Sequence, residues 1–295
     1  MRGLKLTLQL PYLLADHPSE RADIQRLLER PFCKTAIIAM SFTNDYPKDQ
    51  RSKAGRYAKR VTYDKDAVRK IVDAAPILHV SFNAPMSESM DAQFPTILPM
   101  LGAMDSSAED DQVVYLHGSS AARLFRLDSG QEDPGLPVCI AATLLDGYVL
   151  ALTPFNHSCN YRSAVVFGHA TKVTNTDETM RAMELITNHL ITDRWTNSRT
   201  PPTKSELTAT GILKVRIETA SVKVRNGGPH DDRKDLKDDA TTSRVWTGVV
   251  PVQQVLGEAI ASPENLVKQI PGSVTSWIED TNSMRKDDML KSMKE

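Results

Sequence analysis

The stretch PVCIAATLLDGYVLALTPFNHSCNYRSAVVFG, from Pro137 to Gly168, carries the strongest fold signal in the chain. Its runs PVCIAATLL, YVLALTPF and YRSAVVFG are typical of β-strands. The dipeptide Asp146–Gly147 between the first two runs predicts a type I′ hairpin. Directly before the last run lies a cluster of polar residues, Asn160, Tyr161, Arg162 and Ser163. The stretch therefore predicts antiparallel strands with a polar site at one strand entrance, which either is solvated or holds an anion.

Further elements flank this stretch on both sides. YDKDAVRKIVDAAP predicts a short helix capped by Asp64, and NTDETMRAMELITNHLI predicts an amphipathic helix with a capping box formed by Asn175 and Glu178. More strands are predicted at ILHVSFN, FPTILPML, DDQVVYLHG, GILKVRIETASVKV and RVWTGVVPV. Strands that follow one another with short helices at intervals predict a mainly β (α+β) fold, an antiparallel barrel with flanking helices.

The composition is that of an ordinary globular protein. The 295 residues are 40% hydrophobic and 25% charged, and the net charge of −1 gives no overall attraction to nucleic acid or to anionic lipid. The N-terminus is interrupted by Lys5 and Pro11 and is too short to span a bilayer. Cys33, Cys139 and Cys159 are too few for a disulfide framework. We therefore expect a soluble cytoplasmic protein that binds neither membrane nor nucleic acid.

Two common cofactor motifs are absent from the sequence, and a third is incomplete. Neither Gly-x-Gly-x-x-Gly nor Gly-x4-Gly-Lys-Ser/Thr occurs, which argues against a Rossmann dinucleotide site and a P-loop. His157 and Cys159 resemble half of a metal site, but no second pair lies at ligand spacing, so no metal is predicted.

We divide the chain into three parts. Residues 1–62 are predicted to form an N-terminal arm, residues 63–257 the barrel domain, and residues 258–295 a C-terminal helical tail. The arm contains the basic stretch NDYPKDQRSKAGRYAKR, which lacks any periodicity. A solvated arm or a wrap around another subunit is favoured over a nucleic-acid contact.

Four motifs in order resemble the flavin-nucleotide-binding branch of the pyridoxamine 5′-phosphate oxidase-like superfamily, which includes the nitroimidazole-resistance reductases. They are VVYLHGSSAARLFRL, the opening stretch, ELTATGILKVRIETASVKVR and VWTGVVP. The resemblance implies a split β-barrel that forms a homodimer and binds two FMN molecules in the grooves between subunits. It implies cofactor contacts from Leu98, Pro99, Met100, His117, Gly118, Ser119, Arg123, Asn160, Tyr161, Arg162, Ser163, Lys223 and Trp246.

The residues themselves leave alternatives open at five of these positions. Trp246 either covers the flavin ring or is a core tryptophan, and Lys223 either stabilises negative charge on the reduced flavin or is solvated. Ser119 and Ser120 are predicted to cap a helical turn, and Arg123 on that turn either holds the flavin phosphate or is a solvated surface arginine. Arg162 either contacts the phosphate or the pyrimidine carbonyls of the flavin, or forms an ion pair with a nearby acid. His117 either positions the ring, donates a proton as a catalytic residue, or is structural.

The predicted function is that of an FMN-dependent oxidoreductase acting on a small organic molecule, such as a nitro compound, a quinone, an enone or a natural-product intermediate. The loop NAPMSESMDAQFPTILPM is longer than the family pattern, so the family's substrate is not transferred. One alternative is a haem-binding or haem-degrading barrel with His117 or His79 as the axial ligand. Another is a flavin-binding protein without catalytic activity.

Overall fold

The structure, a computed structural model, describes residues 44–83, 94–105, 112–127 and 134–293. Eight strands lie in these residues: β1 (Val61–Thr62), β2 (Leu78–Phe82), β3 (Thr96–Asp105), β4 (Val113–Ser119), β5 (Leu136–Leu150), β6 (Ser158–Lys172), β7 (Thr210–Arg225) and β8 (Gly248–Pro251). The α-helices there are α1 (Lys65–Ala74), α2 (Arg123–Leu127), α3 (Thr176–Leu190), α4 (Lys204–Ala209), α5 (Arg233–Leu236), α6 (Asp239–Thr242) and α7 (Gly272–Ser292). None of these helices has the length and apolarity needed to cross a membrane.

Strands β2 to β7 close into a six-stranded antiparallel barrel. Their order around the barrel is β7-β4-β3-β2-β5-β6, and β6 pairs back onto β7. Strand β1 adds to β7, and β8 adds to β5. A closed barrel has no unpaired edge among its own strands, which removes the risk of edge-to-edge association. The predicted mainly β barrel with flanking helices is confirmed.

The barrel interior is filled by alternate side chains of each strand. Val80, Leu116, Ile140, Val166 and Val215 come from five different strands, and each is at most 1% exposed. Each side chain of this kind contributes about 1.5–3 kcal/mol through its removal from water. Since successive residues point to opposite faces of a strand, the intervening residues form the outer surface.

Helix α1 packs against this interior core. The Asp64 carboxylate accepts a hydrogen bond of 2.8 Å from the backbone N–H of Ala67, which caps the helix as predicted. Val68, Ile71 and Val72 form its apolar face and belong to the same buried cluster as the barrel strands. This predicted helix is confirmed.

Helix α2 follows the end of β4, and its Phe125 ring fills the space beside two glycines, Gly118 and Gly211. A Cβ atom on Gly118 would lie 2.6 Å from the Phe125 ring, and one on Gly211 would lie closer still. Gly118 and Gly211 face each other on β4 and β7. Both positions therefore require glycine, because the Phe125 ring occupies the volume that a larger side chain would need.

Helix α3 covers the outer surface of β3, β4 and β7, and its predicted capping box is wrong. The Asn175 side chain accepts from the N–H of Glu178 at 2.9 Å, but the Glu178 carboxylate turns to the barrel instead. It accepts hydrogen bonds from the Tyr115 hydroxyl at 2.7 Å and the Lys214 ammonium at 3.0 Å. Burial, together with the Glu178 contact, raises the pKa of Tyr115 to about 12. A fully buried hydroxyl without a partner would be costly, whereas an N-cap amide can bond to water.

The predicted hairpin at Asp146–Gly147 is also wrong, because β5 is one continuous strand through this dipeptide. Leu145 pairs with Tyr161 and Gly147 with Asn160, so Asp146 is the extra residue of a β-bulge. The bulge leaves Asp146 only 2% exposed. The ladder with β6 continues on both sides, and this pairing outweighs the turn preference of the dipeptide.

Part of the predicted N-terminal arm contacts the barrel. Tyr46 is 5% exposed and belongs to the interior cluster. The Thr219 hydroxyl on β7 lies 2.6 Å from the Pro47 carbonyl oxygen and 2.7 Å from the Ser52 hydroxyl. Arg51 forms an ion pair of 2.7 Å with Glu218. Residues 45–62 thus lie against the outer surface of β6 and β7, whereas residues 1–43 of the predicted arm lie outside the described residues.

The predicted C-terminal tail contains an extended segment followed by a helix. Residues 252–271 form neither a helix nor a strand, and α7 begins at Gly272. The Asn282 amide of α7 anchors the extended segment, since it accepts from the Leu256 N–H and donates to the Leu256 carbonyl.

Candidate functional site

The alternation of strand residues divides the predicted site residues between two faces of the barrel. On β3, Met100 is 7% exposed in the interior core and Leu98 packs against that core. Pro99 between them is exposed on the outer face, where it pairs with His79 of β2. Only Pro99 of this predicted run can therefore present its side chain to a ligand outside the barrel.

Four predicted residues gather on the outer face where β3 begins and β4 ends, and we call them the strand-end cluster: Pro99, His117, Ser119 and Arg123. His117 lies between Leu101 and Ile212 in the sheet. The Ser119 hydroxyl accepts from the N–H of Ala121 at 3.3 Å, so it caps the turn as predicted. Arg123 begins α2 and is exposed.

The predicted capping role of Ser120 is wrong. Its hydroxyl donates instead to the carbonyl of Thr208 at 2.9 Å, and its N–H bonds to Ala209. These bonds tie the turn to helix α4. The turn thus keeps a defined position next to the strand end.

His117 is half-buried, and burial lowers its pKa below the ordinary histidine value. Its imidazole is consequently neutral at pH 7, with one nitrogen that donates a hydrogen bond and one that accepts. A neutral imidazole suits positioning and hydrogen bonding better than it suits proton donation. Gly118, the next residue, faces the interior and the Phe125 ring, so only its backbone can reach an outer ligand.

Three other predicted residues form a second group on the outer face of β6 and β7, which we call the lysine cluster: Tyr161, Ser163 and Lys223. Ser163 pairs with Lys223 across the ladder, and its hydroxyl donates to the Lys223 carbonyl at 3.2 Å. Strands β2 and β5 separate this cluster from β3. Along β7, Lys223 lies eleven residues beyond Ile212, the partner of His117, which is about 36 Å of extended strand, so one barrel does not bring the two clusters together.

Arg162 faces the interior, with Leu144 and Val224 as its neighbours in register. Its Nε and Nη2 atoms donate to the Asp146 carboxylate at 3.0 and 2.8 Å, and Nη1 lies 3.6 Å from Asp288 of α7. Burial opposes the charge of the guanidinium, but the bonds to Asp146 outweigh it and raise the pKa of Arg162. This geometry fits the ion-pair interpretation of Arg162.

Asn160 is fully buried beside this ion pair. Its side-chain oxygen accepts from Arg225, and its nitrogen donates to the Gly227 carbonyl at 3.1 Å. Burial, and then the charge of Arg60, lowers the pKa of Arg225. Both polar ends of Asn160 are therefore engaged within the protein.

Asp146, Arg225 and Asp288 were not anticipated as partners of the polar cluster. Asp146 and Arg225 lie within the quoted motifs, but no pattern in those motifs marks them as partners, because each reaches its partner through the tertiary fold.

Trp246, predicted to contact the cofactor, lies apart from both clusters. It is 65% exposed, and its ring covers Gly248 at the start of β8. Strand β8 pairs with β5 at Leu150, beyond the part of β5 that faces the lysine cluster. Its indole face is open to a ligand or a second subunit.

No group of three or more metal-ligating side chains lies within the described ranges. His157 accepts a hydrogen bond at Nδ1 from the N–H of Ala151, at 2.9 Å. The proton of its neutral imidazole is then on Nε2, which removes that nitrogen's lone pair from metal binding.

Comparisons with known proteins agree with this architecture. The sequence model of the pyridoxamine 5′-phosphate oxidase family matches residues 64–224. The flavocytochrome Anf3 from Azotobacter vinelandii is 30% identical, with 78% of this chain and 97% of that chain covered at a TM-score of 0.64. The FAD and haem binding protein from Mycobacterium smegmatis is 24% identical, with 74% and 97% covered at a TM-score of 0.62. No protein of curated function matches with significance.

The family match ends at Val224, so it includes the barrel strands up to the lysine cluster. It begins at Asp64, the residue that caps α1. The basic stretch before it and the extended segment and α7 after it lie beyond the match. Together with the closed six-stranded barrel, this match confirms the resemblance found in the sequence, and the chain belongs to the pyridoxamine 5′-phosphate oxidase family.

Proposed function

We propose that this protein is a flavin-dependent oxidoreductase that binds FMN between two copies of the chain and acts on a small organic molecule. The observation that carries the proposal is the separation of the two outer clusters. Both offer polar groups suited to a flavin, yet they lie near opposite ends of β7, one beside Ile212 and the other at Lys223. In a two-fold dimer, the strand-end cluster of one subunit and the lysine cluster of its partner can flank a single cofactor.

The side chains of both clusters fit the chemical groups of FMN. Arg123 adds a guanidinium beside the Ser119 turn, which suits a phosphate dianion. Lys223 supplies a cation that can stabilise negative charge on the ring system. Ser163 and His117 add hydrogen-bonding groups on the same outer face. Bound flavin would supply the electron-transfer chemistry, while these residues bind and orient it.

The homodimer is proposed because exposed apolar side chains lie on the outer face around Pro99 and in the extended segment. Ile77, Phe94 and Ile97 are 40%, 67% and 60% exposed around Pro99. In the extended segment, Ile260 and Leu266 are 94% and 93% exposed. Apolar surface gathered in this way usually marks an association site. Light scattering should give twice the mass of the chain, and a monomer that retains flavin would refute the arrangement between subunits.

Purification tests the flavin directly. We expect the visible absorption bands of oxidised flavin, and mass spectrometry of the released cofactor distinguishes FMN from FAD, which carries an additional AMP. Arg123→Gln should weaken binding by about 1.5–3 kcal/mol if Arg123 bonds the phosphate. Arg126→Gln, on the same helix, is the matched control. Colourless protein that takes up neither FMN nor FAD would refute the proposal.

Turnover then separates an enzyme from a flavin carrier. Reduced nicotinamide cofactors are tested as electron donors, with quinones, nitroaromatic compounds and enones as acceptors. Flavin-loaded protein that reduces none of these acceptors would favour the alternative of a non-catalytic flavin-binding protein.

Haem binding is the second candidate, favoured by the 30% identity to a flavocytochrome. His79 is exposed on the outer face of β2 between Pro99 and Ala141, so its imidazole can reach an external iron. Haem-loaded protein would show a Soret band that His79→Ala abolishes while the flavin bands stay. If haem binds and the band survives this change, His117→Ala tests the other predicted ligand. Absence of a Soret band after haem reconstitution would reject this candidate.

A further inference from the structure

The basic stretch that precedes the family match is not used by the proposed flavin site. From Lys48 to Arg60 it carries six cationic residues and one acidic residue, although the net charge of the whole chain is −1. It lies against the barrel through the contacts of Tyr46, Pro47 and Ser52 described above. The positive charge is therefore held at a defined place on the folded protein.

A cavity of about 550 Å³ opens next to this stretch. Its polar lining includes Lys48, Lys53 and Asp45, and its remaining lining residues are Ala54, Ala58, Val61, Thr62 and Tyr63. The volume is within the range of small-molecule sites. The lining therefore combines two ammonium groups with an apolar wall and one hydroxyl on each of Thr62 and Tyr63.

Two guanidinium groups pack on the ring of Tyr57, the residue before the lining residue Ala58. The Tyr57 ring lies 4.7 Å from the Arg56 guanidinium and 4.6 Å from that of Arg60. The Tyr57 hydroxyl also accepts a bond of 3.0 Å from Arg56. Tyr57 has a φ of +57°, a left-handed conformation that is uncommon for a tyrosine. The backbone thus accepts strain at the residue that holds two like charges together.

Among the described residues, most of this charge has no carboxylate partner. Arg51 bonds to Asp49 and Glu218, and Lys48 lies 4.0 Å from Asp45. Across the described part of the chain, no carboxylate lies within ion-pair distance of Lys53, Lys59 or Arg60. Cations that are grouped without counter-charges lower the free energy of a bound anion.

We propose that this cavity binds the phosphate end of a small organic phosphate, either a phosphomonoester or a diphosphate. Lys48 and Lys53 would bond the phosphate oxygens through charged hydrogen bonds. Ala54, Ala58 and Val61 provide an apolar wall for the carbon part of the ligand. The volume of about 550 Å³ is that of a small-molecule site, whereas nucleic acid would need an extended track of cations.

This ligand would be additional to the flavin. Val61 pairs with Lys223, so the cavity lies beside the lysine cluster while its own cations come from residues 48–60. The cavity is thus close enough for a phosphorylated substrate or electron donor to extend toward the proposed flavin. Its binding does not depend on the flavin proposal, because its residues are different.

Calorimetric titration of the full-length protein with inorganic pyrophosphate tests the site. Lys53→Gln should weaken binding about 10- to 100-fold through loss of a charged hydrogen bond. Asp45→Asn should strengthen it, because it removes a like charge from the cavity wall. Lys70→Gln, an exposed lysine of α1 outside the cavity, should leave the affinity unchanged. Flavin content is measured in every variant and should stay equal.

The test is specific because Lys53→Gln should weaken pyrophosphate binding whereas Asp45→Asn should strengthen it. No pyrophosphate binding by the wild-type protein, or an equal loss with Lys70→Gln, would overturn the proposal. Loss of flavin together with pyrophosphate binding in Lys53→Gln would assign the cavity to the flavin phosphate and overturn a separate ligand. A single-stranded oligonucleotide that binds with steep salt dependence, while Asp45→Asn leaves pyrophosphate binding unaltered, would identify a nucleic-acid surface instead.

Discussion

Replacing Arg162 by methionine removes the guanidinium from a carboxylate that has almost no contact with water. The side chain of Asp146 is 3% exposed and that of Arg162 17% exposed, and two bonds of 2.8 and 3.0 Å join them. Removal of one partner of a buried ion pair costs about 3–5 kcal/mol, because the other charge stays buried without compensation. Since Arg162 retains some solvent contact, we expect the lower end, about 3 kcal/mol.

Thermal and urea unfolding measure this loss. At about 2–4 °C per kcal/mol for a chain of this size, the melting temperature should fall by about 6–12 °C. The double variant Arg162→Met/Asp146→Asn should recover part of the loss, since no buried charge remains. Asp288→Asn is the control, because its 3.6 Å contact with Arg162 is longer and more exposed and is worth at most about 1 kcal/mol.

Flavin content decides between the two interpretations of Arg162. If Arg162 is an ion-pair residue, folded Arg162→Met protein should bind flavin as the wild type does. If the free energy of unfolding of Arg162→Met lies within about 0.5 kcal/mol of the wild-type value and flavin is lost, the ion-pair reasoning is refuted and Arg162 is a cofactor ligand.

Three further changes follow from the packing and the charges. Gly211→Ala places a Cβ against the Phe125 ring and should cost about 1–3 kcal/mol in thermal unfolding; an unchanged melting temperature would contradict this packing. The lowered pKa of His117 means that the unfolded chain binds a proton more readily. Wild-type stability should therefore fall as the pH drops below about 6.5, and His117→Gln should reduce this dependence in melts from about pH 8 to about pH 5; an unchanged dependence in the variant would contradict the role of His117. Tyr115→Phe removes the hydroxyl bonded to Glu178 and should cost about 1–2 kcal/mol, measured by urea unfolding; a neutral result would show that water replaces this bond.

Local sequence patterns predicted most of the elements but failed where tertiary partners decide the conformation. The Asp64-capped helix α1 and the alternating strand β2 are confirmed because caps and two-residue periodicity act over a few residues. Asp146–Gly147 has the composition of a hairpin turn, yet β6 pairs with both sides of it. Glu178 has the spacing of a capping box, yet the buried Tyr115 hydroxyl takes its carboxylate. In both cases, the deciding partner is distant in sequence.

In the candidate site, too, a local pattern indicates the orientation of a side chain but not its tertiary partners. The alternation of Arg162 with the buried Ala164 and Val166 could have predicted that Arg162 faces inward. The identity of its partners could not be predicted, since Asp288 lies on a helix beyond the family match. The homodimer, the identity of the flavin and the cytoplasmic location stay predictions. They concern a second chain, a ligand and a compartment.

The described parts of the chain outside the family match cover the barrel unevenly, and this supports the proposed site. Residues 45–62 cover β6 and β7 at Thr219, and α7 contacts the Arg162 end of the barrel through Asp288. Within the match, α3 covers β3, β4 and β7 around Tyr115. Among the described residues, none of these additions covers the outer face at Pro99, and Ile97 is 60% exposed there. Exposed apolar side chains cost free energy unless something binds over them. Within the described part of the chain, the face that holds the strand-end cluster is therefore open, and it is the face that the proposed dimer would use.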